Sequence, residues 1–130
     1  MKQPVLLSDR PEGQGLVVAM VVPVLFGVLT GWMLGVSEIG YLVLALLGIA
    51  GGYLAGLEHD YPIDGAYRGM MGGLLFGSAI LITNGIIDTE QKADLPDPDT
   101  LLIAITGPAG MLLGWLGARR RARSADTAAP

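Results

Sequence analysis

The chain has 130 residues, of which 52% are hydrophobic and only 15% are charged, and its formal net charge is -4. A typical soluble domain has about 25% charged residues, so this composition argues against a water-soluble globule. Disorder is excluded as well, because disordered chains are poor in apolar residues. A sequence with no cysteine has no disulfides, thiolate metal sites or cysteine nucleophiles.

Four apolar runs cover residues 16–36, 39–57, 69–87 and 100–118, and none of them contains Asp, Glu, Lys, Arg or His. A helix rises about 1.5 Å per residue, so the shorter runs extend about 28 Å and match the roughly 30 Å hydrocarbon core of a bilayer. A segment that crosses lipid must satisfy its own backbone hydrogen bonds, which a helix does. The sequence therefore predicts an all-α membrane protein with four antiparallel transmembrane helices.

These runs divide the chain into three parts. Residues 1–15 form a cytoplasmic N-terminal segment, residues 16–118 form the four-helix transmembrane domain, and residues 119–130 form a basic cytoplasmic tail that we expect to be disordered. The two-residue turn Ser37-Glu38 makes the first two helices a hairpin.

The basic residues predict the orientation, because Lys and Arg near spans are retained on the cytoplasmic side. With four spans, seven of the eight basic residues fall on one side and only Lys92 falls on the other. Both termini are therefore expected in the cytoplasm, in a multi-pass protein of the cell membrane, and the acidic 88–99 loop is expected outside. The seven residues are Lys2, Arg10, Arg68, Arg119, Arg120, Arg121 and Arg123, and the last four determine the topology most strongly.

Glycine spacing is the most specific pattern in the spans. Small residues every four positions form a groove along a helix that lets another helix approach closely in lipid. We interpret the pattern as glycine-zipper packing of the four helices on one another, with self-association through an uncovered groove as the alternative. The predicted packing residues are Gly27, Gly31, Gly35, Gly48, Gly52, Gly56, Gly69, Gly73, Gly77, Gly110 and Gly114.

The absence of Asp, Glu, Lys, Arg and His from the spans argues against proton relays and coupled transport. Asn84 is expected to make an interhelical hydrogen bond or to cap its helix, and Pro108 is expected to kink the fourth span.

The 58–68 loop contains the only histidine, His59, beside Glu58, Asp60 and Asp64. A metal site there has no recognised ligand spacing, so we interpret the segment as a solvated loop in which Asp64 could pair with Arg68. We predict no catalytic, cofactor-binding or metal-ligating residue, and the net negative charge argues against a nucleic-acid partner.

Several short motifs resemble the small uncharacterised multi-span membrane proteins of high-GC bacteria and some archaea. The motifs are Pro11-Glu-Gly-Gln-Gly15, Val24-Leu-Phe-Gly27, Gly69-Met-Met-Gly-Gly-Leu-Leu-Phe-Gly77 and Asp94-Leu-Pro-Asp-Pro98. The resemblance implies the four-span architecture and no activity.

Two functions from different classes remain open at the level of sequence. The first is a non-enzymatic structural or interaction subunit in the lipid bilayer, either as a homo-oligomer or attached to a larger membrane complex. The alternative is a small pore or permeability protein of the holin or channel kind, since holins combine short spans with a basic tail. An enzyme acting through His59 with Asp60 or Glu58 is the least favoured hypothesis.

Overall fold

The computed structural model describes residues 4–11 and 13–129, which form four long helices in chain order. Lys2, which the charge pattern groups with the cytoplasmic basic residues, lies outside the described residues, as do Glu12 and Pro130. A short 3-10 turn, Leu7–Asp9, precedes the helices. The four helices are α1 (Gln14–Leu34), α2 (Glu38–Gly56), α3 (Pro62–Ile87) and α4 (Leu101–Ala128). Each is long and apolar enough to cross a membrane.

Local sequence explains where these helices begin and end. The side chain of Ser37 caps α2 by accepting a hydrogen bond of 3.2 Å from the backbone N–H of Gly40. Pro62 occupies the first turn of α3, where its missing N–H leaves no helical hydrogen bond unmade. Asp88 ends α3 in the left-handed conformation, with φ 51°.

Two helices are longer than the apolar runs indicated. The third begins at Pro62 rather than Gly69, so most of the predicted 58–68 loop is helical and the true connection is residues 57–61. The fourth continues to Ala128, so the tail that was expected to be disordered is helical. The apolar criterion ends a helix at its first charges, whereas a helix ends only where its backbone geometry breaks. The ends of α1 and α2 differ from the predicted bounds by two residues and by one residue, respectively.

Helix α3 lies at the centre and packs against α1, α2 and α4. Its closest partner is α4, where Gly69 faces Gly110 and Gly65 faces Gly114. A Cβ added to Gly69 would lie 2.7 Å from the Gly110 carbonyl carbon, a distance that real side chains do not reach. The two backbones can therefore approach this closely only because these positions lack side chains.

The 88–100 connection folds back over one end of the bundle. The backbone N–H of Lys92 donates to the Leu34 carbonyl at 2.8 Å, and Ala93 is buried. Asn84 accepts a 2.9 Å hydrogen bond from Gln91 in this connection, and its carbonyl accepts from the Asp88 N–H. The side chain of Asn84 therefore ties the end of α3 to the following connection. Of the two predicted roles, a bond to another helix or a cap, no bond to another helix occurs among the described residues.

The buried apolar cluster lies toward this same end of the bundle. Leu34 and Ile80 are 0% and 1% exposed, and Tyr41, Phe76, Ala93 and Leu102 complete the cluster. Toward the opposite end, near the 57–61 connection, the helices leave a cavity.

Candidate functional site

The candidate site is a cavity of about 290 Å³ lined by all four helices, chiefly α1, α2 and α3. This volume lies at the small end of the range for small-molecule sites, about 300 to 1,000 Å³. Seven of the 19 lining residues are glycines, so parts of the wall are bare backbone. The seven are Gly48, Gly51, Gly52, Gly69, Gly72, Gly73 and Gly110.

Two phenylalanines close the cavity at its inner end. The rings of Phe26 on α1 and Phe76 on α3 have centroids 6.1 Å apart and are tilted by 31°. Phe76 also covers Gly48 on α2, where an added Cβ would lie 2.6 Å from a ring carbon. The absence of a side chain at Gly48 is therefore what allows Phe76 to reach across the bundle.

Charged side chains lie at the opposite end of the cavity. Arg10, from the segment before α1, forms an ion pair of 2.7 Å with Glu58 in the 57–61 connection. The Glu58 side chain is only 13% exposed, and its second oxygen, Oε2, is buried without a hydrogen-bond partner. Glu58 is also one of the residues that line the cavity.

Arg68, in the second turn of α3, lines the same end of the cavity. Its Nη2 donates to the Val18 carbonyl on α1 at 3.3 Å, and its Nε is buried without a partner. Among the described residues no carboxylate lies within 4.0 Å of Arg68, so the predicted pair with Asp64 is not formed. The guanidinium therefore has free donor capacity at the mouth of an apolar cavity.

His59 lies beside this charged end. Burial lowers the pKa of its imidazole below the usual 6.5, and the positive charge of Arg68 lowers it further. Asp64, Glu58 and Asp60 act in the opposite direction with smaller effect. The imidazole is consequently neutral at pH 7 and adds no charge to the site. No group of three possible metal ligands occurs within residues 4–11 and 13–129.

Arg121 fixes the base of the α4 extension to the rest of the molecule. Its Nη1 donates to the carbonyls of Pro4 and Leu57, both at 2.6 Å, and its Nε lies 3.2 Å from Asp60. The three other predicted topology residues, Arg119, Arg120 and Arg123, are exposed, and Arg119 stacks on Trp115 at 4.7 Å. The four arginines thus divide into one structural and three accessible residues.

The predicted packing glycines fall into three groups in the structure. On α1, Gly27 and Gly31 face Phe76 and Ile80 of α3, whereas Gly35 faces Thr89 in the 88–100 connection rather than a helix. On α3, Gly69 meets Gly110 of α4, whereas Gly73 and Gly77 meet Thr106 of the same helix. Gly56 of α2 meets Gly114. Gly52 is less tightly packed, since an added Cβ would have ordinary contact at 3.4 Å with the Gly110 Cα.

Sequence reasoning missed Glu58, Arg68 and the two phenylalanines as parts of one site. Arg68 was assigned to a loop because the third apolar run begins one residue later. Pro62 was the available signal, since proline favours the first helical turn and would have extended α3 back past Arg68. The meeting of Phe26 with Phe76 had no signal in the sequence.

No protein-family model, curated protein or solved structure matches this chain. The resemblance to small multi-span bacterial and archaeal membrane proteins therefore stays a prediction, and function must be argued from the geometry.

Proposed function

We propose that this chain is a non-enzymatic interaction subunit of the plasma membrane, with four antiparallel spans in glycine-zipper contact and both termini in the cytoplasm. The hydropathy of the four helices supports the membrane placement, and the excess of basic residues at one end supports the orientation. The close glycine contacts between α3 and α4 support the packing.

The observation that carries the proposal is the helical extension of α4 beyond its apolar run. Residues 119–128 continue the helix by about 15 Å, at about 1.5 Å per residue. Arg119, Arg120 and Arg123 are exposed on it, while Arg121 fixes its base to Leu57 and Asp60. A rigid helix with exposed guanidiniums can bind carboxylates of a partner protein with little ordering cost.

The glycine contacts favour a different protein as the partner, rather than a second copy of this chain. Gly31, Gly56 and Gly73 each face another helix of the same chain. A groove occupied in this way is not free for self-association, so the arginine face of α4 is the surface that we assign to the partner.

Affinity purification in mild detergent tests this function. We expect the tagged protein to copurify with a membrane partner at a fixed ratio, and an Arg119→Gln, Arg120→Gln, Arg123→Gln variant to lose it. An Arg10→Gln variant is the matched control, because Arg10 is a basic residue engaged within the chain. Recovery of the wild type as a lone monomer would contradict the proposal.

A small pore is the second candidate, favoured by the glycine-lined cavity. In a single chain the path ends at Phe26 and Phe76, and beyond them Thr30, Leu34 and Ile80 fill the interior at 0–1% exposure. Conduction would therefore require these side chains to move. Flux of ions or small solutes from liposomes containing the purified protein would support the pore function. The absence of such flux would rule it out.

A further inference from the structure

Three half-buried arginines, Arg10, Arg68 and Arg121, differ in how closely a carboxylate approaches them. Arg10 pairs with Glu58 at 2.7 Å and Arg121 pairs with Asp60 at 3.2 Å, but Arg68 has no carboxylate partner among the described residues. Its single hydrogen bond, 3.3 Å to the Val18 carbonyl, is long. Removing a charge from water is costly unless it is closely paired, and among the described residues Arg68 lacks the close carboxylate that Arg10 and Arg121 have. An anion bound in the adjoining cavity would supply it.

The cavity next to Arg68 is accessible from the outer surface of the bundle. Val22 on α1 and Leu47 and Leu54 on α2 line the cavity, and these side chains are 53%, 55% and 60% exposed. The opening therefore lies between the outward faces of α1 and α2. In the membrane placement proposed above, on which this inference rests, those faces contact lipid.

The charged residues at the mouth of the cavity indicate which kind of lipid headgroup would fit there. Arg10, Glu58 and Arg68 together carry a net charge of +1, which a headgroup with one negative charge would neutralise. Glu58 lines the cavity, and its Oε2 has no hydrogen-bond donor among residues 4–11 and 13–129. A ligand that satisfies both groups has an anionic oxygen and a hydroxyl, joined to an apolar chain.

We propose that the cavity binds one anionic phospholipid with a hydroxylated headgroup, of the phosphatidylglycerol kind. The phosphodiester accepts hydrogen bonds from Arg68, and the headgroup hydroxyl donates to Glu58. Part of one acyl chain enters between α1 and α2 and lies against the lining glycines of α2 and α3. Phosphatidylcholine, which is neutral and has no donor, satisfies neither group.

Lipid titration of the delipidated full-length protein, followed by native mass spectrometry, tests the binding. We expect phosphatidylglycerol to bind one to one and at least about tenfold more tightly than phosphatidylcholine. Phosphatidylethanolamine, which has a donor but no net charge, should bind with intermediate affinity. Equal affinity for phosphatidylglycerol and phosphatidylcholine would overturn the proposal.

Two pairs of variants locate the site. Arg68→Gln should lower the phosphatidylglycerol affinity about tenfold or more, whereas Lys92→Gln, at an exposed basic residue of the 88–100 connection, should leave it unchanged. Gly51→Leu should fill the cavity and lower the affinity to a similar extent. Gly85→Leu is the control for Gly51→Leu. A Cβ added at either position has no described atom within 4 Å, but of the two glycines only Gly51 lines the cavity.

The Gly51→Leu variant keeps the test decisive if Arg68→Gln fails to fold. Wild-type affinity in Gly51→Leu would overturn the proposed location. Membrane fractionation of the wild type tests the membrane placement independently of the lipid site. Protein in the soluble fraction would refute the placement. Membrane-bound protein without lipid selectivity would refute only the lipid site.

Discussion

Gly73 illustrates what single residues contribute to this molecule. A Cβ at this position would lie 2.8 Å from the carbonyl carbon of Thr106, so the two backbones leave no room for a methyl group. Gly85, on the same helix, has no atom within 4 Å of an added Cβ. The four-residue spacing includes Gly73 and leaves out Gly85, and the structure identifies α4 as the helix that Gly73 meets.

We predict that Gly73→Ala destabilises the protein by about 1 to 3 kcal/mol, because α4 must move away from α3. Gly85→Ala should be neutral or stabilise by up to about 1 kcal/mol through the better helix propensity of alanine. Gly52→Ala should lie between them, since its added Cβ makes only ordinary contact. Denaturant unfolding in detergent, followed by circular dichroism, measures all three, and equal losses at positions 73 and 85 would contradict the packing.

At the scale of the element, α4 is two segments with different environments. Its first part packs on α3 through Gly107, Gly110 and Gly114, and its last ten residues extend past the apolar run. The extension is fixed by a few polar contacts rather than by apolar packing, with Arg121 joining it to the Leu57 carbonyl and to Asp60. Its stability should therefore depend strongly on one side chain.

We predict that Arg121→Ala frees the α4 extension, with a loss of about 2 kcal/mol in local stability, since hydrogen bonds to charged groups contribute about 1.5 to 3 kcal/mol. Hydrogen exchange should then accelerate in residues 119–128 while α3 stays protected. Arg123→Ala removes an exposed arginine from the same extension and should leave the exchange rates unchanged. Identical protection in the two variants would show that Arg121 does not hold the extension.

The limits of α3 and α4 show which parts of an element can be predicted. Absence of charge identified both apolar runs, because lipid admits few ionisable groups. The first two turns of α3 and the last ten residues of α4 were assigned to a loop and a tail because they contain charges. Backbone hydrogen bonding, capping and contacts such as those of Arg121 extended both helices beyond what hydropathy indicates.

At the scale of the whole molecule, charge is distributed unequally between the two ends. Arg10, Arg68 and Arg121 lie near the 57–61 connection, whereas Lys92 lies in the 88–100 connection that covers the opposite end. Basic residues near spans are retained in the cytoplasm, so this asymmetry gives the proposed orientation.

We predict that a cysteine at Asp94 is labelled from outside intact cells, and that a cysteine at Asp126 is labelled only after permeabilisation. Both aspartates are exposed and the chain has no native cysteine, so the two single-cysteine variants are matched. A thiol-reactive maleimide that does not cross membranes makes the measurement. The reverse pattern would invert the proposed orientation.

The sequence by itself determined the class of the fold, because the hydropathy and length of a segment are local properties, and they decide whether it can cross a bilayer as a helix. It also determined which positions permit close backbone contact, since glycine is identifiable without a structure. Only the tertiary structure decided which helix meets each glycine, and that Glu58 and Arg68, ten residues apart, share the mouth of one cavity with Phe26 and Phe76 at its inner end. Those relations depend on how α1, α2 and α3 pack, and packing is set by contacts between segments that are distant along the chain.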